Sequence, residues 1–281
     1  MTTKRNRMGR LLFGVLLALQ ASAHGYVIDG DLKDWLAESP RGQTTDWRPR
    51  TSPGMEWRVE DQTGGRGTFL DPGYGGQDYD AEAIYVDLLG DDLYIAVVTG
   101  RAPGATGYPG GDIALNLGWV AGSLDATFEI GIVTRDHHGF SAGEVYAVTE
   151  WYYGLWTAPG IYDRNGISDY KSAHPVGVKS GTKLGTAELV YQVATYGGVP
   201  AAQLGRYDGD HYVVETRLNL GALGIDPGEE SFLTHWTAWC ANDWIQVDSN
   251  LPAIPTPPTL ILLAVGLLGL GLSGLAGWRA A

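Results

Sequence analysis

Apolar and polar residues alternate in short runs through the middle of this chain, and clusters of Gly, Pro and Asp separate the runs. The clearest unit spans Ala83 to Thr99. Ile84, Val86 and Leu88 alternate, Gly90-Asp91-Asp92 turns the chain, and Leu93, Ile95 and Val97 alternate back. Side chains with a period of two share a face, so this stretch predicts a β-hairpin with one apolar side. Further strands are predicted from Ile113 to Leu117, Ala126 to Val133, Glu144 to Trp151, Glu188 to Thr195, Tyr212 to Leu218 and Phe232 to Ala238. Between them, the stretch from Thr157 to Thr186 is rich in Gly, Ser and Asp and reads as a long loop. No long stretch keeps a helical period, and neither an internal repeat nor a second composition regime divides the chain. The expectation is one all-β domain over residues 24–250, an antiparallel β-sandwich.

The two ends follow different patterns. Lys4, Arg5, Arg7 and Arg10 precede the apolar run Leu11 to Leu19, and Ala21-Ser22-Ala23 supplies the small-x-small site of a signal peptidase. The apolar core is about half the roughly twenty residues a spanning helix needs. Residues 1–23 therefore read as a signal peptide, and the mature chain starts at His24. At the other end Leu260 to Trp278 is apolar throughout and long enough to cross a bilayer core as a helix. A stiff Pro-rich linker at 251–259 precedes it, and Arg279 marks a short cytoplasmic end at 279–281.

The order Ile254-Pro255-Thr256-Pro257-Pro258-Thr259, apolar helix, basic end resembles the PEP-CTERM sorting signal of Gram-negative bacteria that make exopolysaccharide. The resemblance implies that Pro255, Pro257 and Pro258 form a sorting motif and that an exosortase-like processing enzyme recognises the tail. Thr256 stands where that family has Glu, and the terminal basic cluster is reduced to Arg279. A plain single-pass membrane anchor is the alternative.

Charge narrows the partners. The chain has 19 basic and 32 acidic residues; without the four basic residues of the leader and Arg279, residues 24–258 hold 14 against 32, a net charge of −18. Such a domain repels nucleic acid and anionic lipid surfaces. Cys240 is the single cysteine, so no disulfide forms within the chain, and its neighbours Trp239 and Trp236 mark it as a small buried apolar residue.

Three stretches carry a second resemblance. Ile28-Asp29-Gly30-Asp31-Leu32-Lys33-Asp34-Trp35 is similar to the opening motif of family 9 carbohydrate-binding modules and related DOMON-like sandwiches, in which an Asp-Trp tucks under the sheet. The hairpin Tyr85-Val86-Asp87 to Leu93-Tyr94-Ile95-Ala96-Val97 is similar to the central hairpin of that family. Tyr212-Val213-Val214-Glu215-Thr216-Arg217-Leu218-Asn219-Leu220, followed by Leu223-Gly224, is similar to its late strand. The resemblance implies a DOMON-like sandwich, a fold that hosts several functions, so the residues themselves must argue for one.

Pyranose rings stack their C–H faces on aromatic rings, and the chain is rich in Trp and Tyr, with 10 and 15. Trp151-Tyr152-Tyr153-Gly154-Leu155-Trp156 runs off the end of a predicted strand, which makes Trp151, Tyr153 and Trp156 candidates for a sugar site. Trp236, Trp239 and Trp244 form a second cluster, in which Trp236 and Trp239 face opposite ways along a strand, so at least one belongs to the core. Asp29, Asp31 and Asp34 cluster carboxylates in a tight turn, with Asp78 and Asp80 in a Gly-rich loop, and point to calcium; turn-capping carboxylates are the alternative. His24, once exposed by cleavage, looks like the start of a bacterial lytic polysaccharide monooxygenase, with His137, His138, His174, His211 and His235 as the candidates for the second histidine ligand of copper. Glu215 and Arg217 share a strand face and are expected to pair. No pair of carboxylates stands out for hydrolysis.

The expectation is an exported, membrane-anchored or surface-sorted protein without catalysis that binds extracellular polysaccharide. A structural cell-surface or biofilm-matrix protein is the alternative, and a copper-dependent oxygenase the third.

Overall fold

A computed structural model describes residues 25–39, 47–50, 54–59, 76–117, 127–155, 174–201, 210–225 and 232–249. The leader, His24, Trp156, the sorting motif with Pro255, Pro257 and Pro258, and the apolar stretch 260–278 lie outside them. The strands are β1 (Glu56–Val59), β2 (Ala81–Leu89), β3 (Asp92–Thr99), β4 (Ile113–Asn116), β5 (Ile130–Ile132), β6 (Glu144–Tyr153), β7 (Pro175–Thr186), β8 (Glu188–Val193), β9 (Thr195–Tyr196), β10 (Val199–Pro200), β11 (Tyr212–Asn219), β12 (Phe232–Thr237) and β13 (Trp244–Ser249). One helical turn, Leu220–Leu223, follows β11 and is capped by Asn219, whose side chain accepts from Ala222 N. Among the described residues no helix is long and apolar enough to cross a membrane.

All strand pairs of the two large sheets are antiparallel. Five strands take the order β1-β2-β3-β11-β8, and six take the order β13-β12-β4-β5-β6-β7. Ile84, Val86, Ile95, Val97 and Val214 of the first sheet share one buried cluster with Ile113, Leu115, Ile132, Val145, Trp236 and Ile245 of the second. The chain is thus all-β, with two antiparallel sheets packed face to face. The expected hairpin is β2–β3, and Gly90 closes it at φ +65°, where a side chain would be strained.

Its burial differs from the expected single apolar face. Ala83, Tyr85, Ala96 and Val98 on the opposite face are buried as well, under Ile28, Leu32, Trp35, Leu36 and Trp47. The amino-terminal stretch supplies a second apolar layer that alternation within the hairpin does not reveal. Asp87 on that covered face is satisfied by the Tyr26 hydroxyl, which donates at 2.7 Å.

The six-stranded sheet curls. β7 pairs with β6 along its length, yet the Val176 carbonyl accepts from Asp112 N beside β4, and the His174 ring lies against His235 of β12 and Trp244 of β13. Ala114, Phe128, Val133, Trp151, Val178 and Leu233 fill the inside of the curl. Residues 175–186, expected as loop, are the longest described strand; their Gly, Ser and Lys content reflects an exposed carboxyl-terminal half, in which Val178 is the last buried residue. β13 was not expected either, and the ladder through the predicted stretch 126–133 covers only Ile130–Ile132.

Candidate functional site

Alternation along β6 sends its three consecutive aromatics to two places. Trp151 and Tyr153 join the cluster inside the curl, and Tyr152 goes the other way to meet Trp239. Trp151 is 9% exposed, and its Nε1 donates to the Phe128 carbonyl at 2.9 Å. Room for the ring comes from Gly131, where a Cβ would stand 2.9 Å from Trp151 and 2.5 Å from Val178. Trp151 is therefore a floor rather than an open platform.

Above that floor lies a cleft of about 200 Å³ lined by Thr127, Phe128, Thr149, Glu150, Trp151 and Tyr153. Tyr153 is half-buried and gives the cleft its most accessible ring. The Thr149 and Ser180 hydroxyls are 2.9 Å apart at the rim. Glu150 pairs with Lys179 at 2.8 Å, and that hydrogen bond lowers the carboxyl pKa below its ordinary value. Aromatic faces, hydroxyls and a fixed carboxylate meet in one concavity. The sequence placed Trp151 and Tyr153 here; Trp156 is outside the described residues.

On the other side of β6, Tyr152, His138 and Trp239 pack ring against ring. Centroid separations are 4.8 Å for His138–Tyr152, 5.5 Å for His138–Trp239 and 5.4 Å for Tyr152–Trp239, with interplanar angles of 35°, 32° and 35°. Trp239 lies over Gly177, whose missing side chain makes the contact feasible: a Cβ would be 2.7 Å from the indole. His137 meets Trp239 edge-on and is anchored by Asp112, whose Oδ2 lies 2.8 Å from His137 Nε2. Asp112 is fully buried and also accepts from Thr134 N and Val178 N, which ties β4, the β5–β6 loop and β7 together. Trp236, by contrast, is fully buried in the inter-sheet core, so of that pair Trp236 is the core residue.

No family model, curated protein or solved structure matches this chain.

Three aspartates of the calcium expectation are engaged by backbone. Asp29 Oδ1 accepts from Asp31 N, Asp34 Oδ2 from Val27 N, and Asp31 from Lys33 N, Gly197 N and Gly198 N. Asp78 lies in the short 3₁₀ turn Gln77–Tyr79, and Asp80 follows it, buried beside β2. Among the described residues no group of three or more His, Cys, Asp or Glu is placed to hold a metal ion. Of the histidines named with His24, His137 and His138 belong to the aromatic surface and His174 and His235 to the curl, while His211 sits 3.1 Å from Glu82 Oε1.

Glu215 and Arg217 share a face as expected, but they do not pair. The amino-terminal stretch covers Glu215 and stops short of Arg217, which bonds Asp92 at 3.0 Å in solvent. Glu215 Oε2 accepts from Asp29 N at 2.9 Å and Gly30 N at 2.7 Å, and Oε1 accepts from Trp35 Nε1 at 3.0 Å. Burial pushes the Glu215 carboxyl up to about 7 against the pull of those donors. Cys240 is buried as expected, and burial pushes its thiol up to about 11, away from thiolate chemistry.

Proposed function

We propose that this protein is an exported, surface-displayed sandwich that binds extracellular polysaccharide in the cleft at the end of β6, without catalysis. The observation that carries the reading is the combination of Phe128, Trp151 and Tyr153 with Thr127, Thr149 and Glu150 around one concavity. Sugars present C–H faces to rings and hydroxyls to polar side chains, and the cleft offers both. Its size, below the roughly 300–1,000 Å³ of sites for drug-sized ligands, suits one ring of a chain that continues past it.

The charge state of Glu150 supports binding over hydrolysis. A glycosidase of the paired-carboxylate kind needs one carboxyl held protonated as acid and a second opposite it. Lys179 favours the ionised form of Glu150, and no second carboxylate lines the cleft among the described residues.

The DOMON-like reading gains support from one junction. The Asp29-Gly30 and Trp35 of the opening motif meet the late-strand Glu215 directly, and Tyr85 and Tyr94 of the hairpin pack in the same buried cluster as Trp35. The leader at 1–23 and the tail with Pro255, Pro257 and Pro258 ahead of 260–278 give the export route and an exosortase-like enzyme as a processing partner.

The test is retention of the full chain, in mild detergent, on a panel of soluble and insoluble polysaccharides. Tyr153→Ala removes the accessible ring without opening the core, as Trp151→Ala would, and is expected to weaken retention about tenfold. Wild-type retention on no glycan would move the assignment to a structural surface or matrix protein.

A further inference from the structure

We propose that, with its apolar tail in a membrane, the protein turns the β6 cleft toward the bilayer, where it takes single polysaccharide chains lying close to the membrane surface rather than the face of a packed polysaccharide. The proposal rests on the anchored, polysaccharide-binding reading above and adds an orientation and a ligand form to it.

The register of the six-stranded sheet carries the orientation. Asp248 of β13 pairs with Leu233 of β12, and Leu233 pairs with Asn116 of β4. The neighbouring Leu115 pairs with Ile130 of β5, which pairs with Ala147 of β6. These residues form one rung across the five strands. Because every neighbour is antiparallel, one end of the sheet is reached by moving forward along β13, β4 and β6 and backward along β12 and β5. Beyond the rung in that direction lie Ser249, where β13 ends, and Phe128, Thr149 and Glu150, which line the cleft. The cleft and the point where the chain leaves the fold therefore share one end. Four inter-strand steps separate β13 from β6, a path of about 20 Å along the rung. Thr127, Thr149 and Glu150 are exposed at this end. The β5–β6 connection, with Ser141 exposed, lies at the other.

Covalent geometry limits how far the cleft can stand from the lipid. Ten residues, 250–259, separate β13 from the apolar stretch that begins at Leu260. Fully extended, they span at most about 36 Å. A compact domain over residues 24–249 is roughly 45 Å across. To point the cleft away from the bilayer, the linker would have to run back along the length of the domain, which is farther than it reaches. The gap that remains admits a hydrated sugar chain from the side, and the cleft of about 200 Å³ accepts one of its rings. A packed polysaccharide face is too thick to enter between domain and lipid.

The first experiment needs no glycan. Cys240 is the single cysteine and is buried, so an introduced cysteine takes a fluorescent donor alone. Full chains labelled at Thr149→Cys, beside the cleft, or at Ser141→Cys, at the opposite end, are placed in phosphatidylcholine vesicles with a headgroup-linked acceptor. The two sites stand roughly 20 Å apart along β6, so energy transfer from the Thr149→Cys label is expected to be about twofold greater. Equal or reversed transfer, or chains that do not stay with the vesicles, overturns the proposal and leaves the cleft as a binding site in detergent.

The second experiment offers the same vesicles galactomannan and hydroxyethylcellulose as free chains, and insoluble mannan and microcrystalline cellulose as packed ones. Free chains are expected to bind about tenfold better than packed ones, and Tyr153→Ala to lose that binding. Thirty Gly and Ser residues inserted after Leu251 add up to about 100 Å of reach and are expected to bring packed binding up to that of free chains. Equal capture of packed polysaccharide with the native and the lengthened linker overturns the ligand form. Vesicles that take none of the four glycans with either linker, while the Thr149→Cys label still transfers better, overturn the polysaccharide reading and the ligand form and leave only the orientation.

Discussion

Acidification from pH 6.5 to 4.5 is expected to lower the unfolding free energy by about 1.4 kcal/mol per pH unit, the effect of one net proton. Two histidines drive the loss. His235 of β12 is fully buried, and burial pushes it down to about 3 against the opposing pull of Gln246 and the Pro175 backbone. His174, 5.4 Å away across the curl, is held well below 6.5 by burial and by His235. Both remain neutral in the fold through this window, while in the unfolded chain both take up protons as the pH drops below 6.5. The fold is thus disfavoured by two protons. Glu215 opposes them. Its folded value of about 7 exceeds the unfolded 4.5, so it binds a proton in the fold first, and its contribution is fully present below 4.5 and lost as pH rises through 7. Two protons against one leaves the net single proton. Below 4.5 the Glu215 contribution is constant and the slope steepens, joined by Glu144, which Lys183 holds down to about 2.

Urea titrations at half-unit intervals from pH 4.5 to 8 resolve these contributions by variant. His235→Phe should flatten the curve between 4.5 and 6.5, and Glu215→Gln should roughly double its slope, whatever constant offset each substitution adds. A wild-type curve that is level over the window, or a His235→Phe curve parallel to wild type, would sink the account.

Glu215→Ala is expected to cost about 3–5 kcal/mol, a large share of the roughly 5–15 kcal/mol that holds a domain together. The substitution strands Asp29 N, Gly30 N and the Trp35 indole N–H without an acceptor at a buried site. Those three donors hold the stretch that covers Ala83, Tyr85 and Val98, so the loss should be local first. Hydrogen exchange at residues 26–36 should accelerate ahead of exchange in β3 and β11. Arg217→Ala, two residues along the same face, removes exposed ion pairs with Asp92 and Glu188 and a 6.0 Å approach to the Tyr94 ring, and is expected to cost less than about 1 kcal/mol. Equal costs for the two variants would show that the Glu215 junction does not seat the amino-terminal stretch.

The all-β class and the central hairpin were legible because Ile84 to Val97 alternate strictly and the turn carries a glycine at positive φ. What alternation does not encode is what lies on the far side of a strand. Tyr85 and Ala96 are covered by residues about 40–70 positions earlier in the chain, and nothing local to the hairpin announces that. β7 was missed for a related reason: its Lys, Ser, Thr and Gly residues belong to a strand whose second half faces water, a composition that also describes a loop. At the site, the aromatic run Trp151 to Tyr153 and its division by alternation were visible, but that the Trp151 face is closed over by Phe128 and Val178 of other segments was not. Trp239 and His138 were visible only as members of other clusters; their meeting is a product of three loops closing on one end.

The seat of the amino-terminal stretch also sets an order of events. Asp29 and Glu215 are 186 positions apart, so a chain that emerges amino end first offers its opening segment the β2–β3 hairpin long before it makes the carboxylate that fastens Asp29, Gly30 and Trp35. Contacts of such long sequence separation form slowly, and the segments waiting for them stay open to other encounters. Leu32, Trp35 and Leu36 therefore rest on half a seat until β11 arrives, and residues 26–36 are the stretch an unfinished copy holds least firmly.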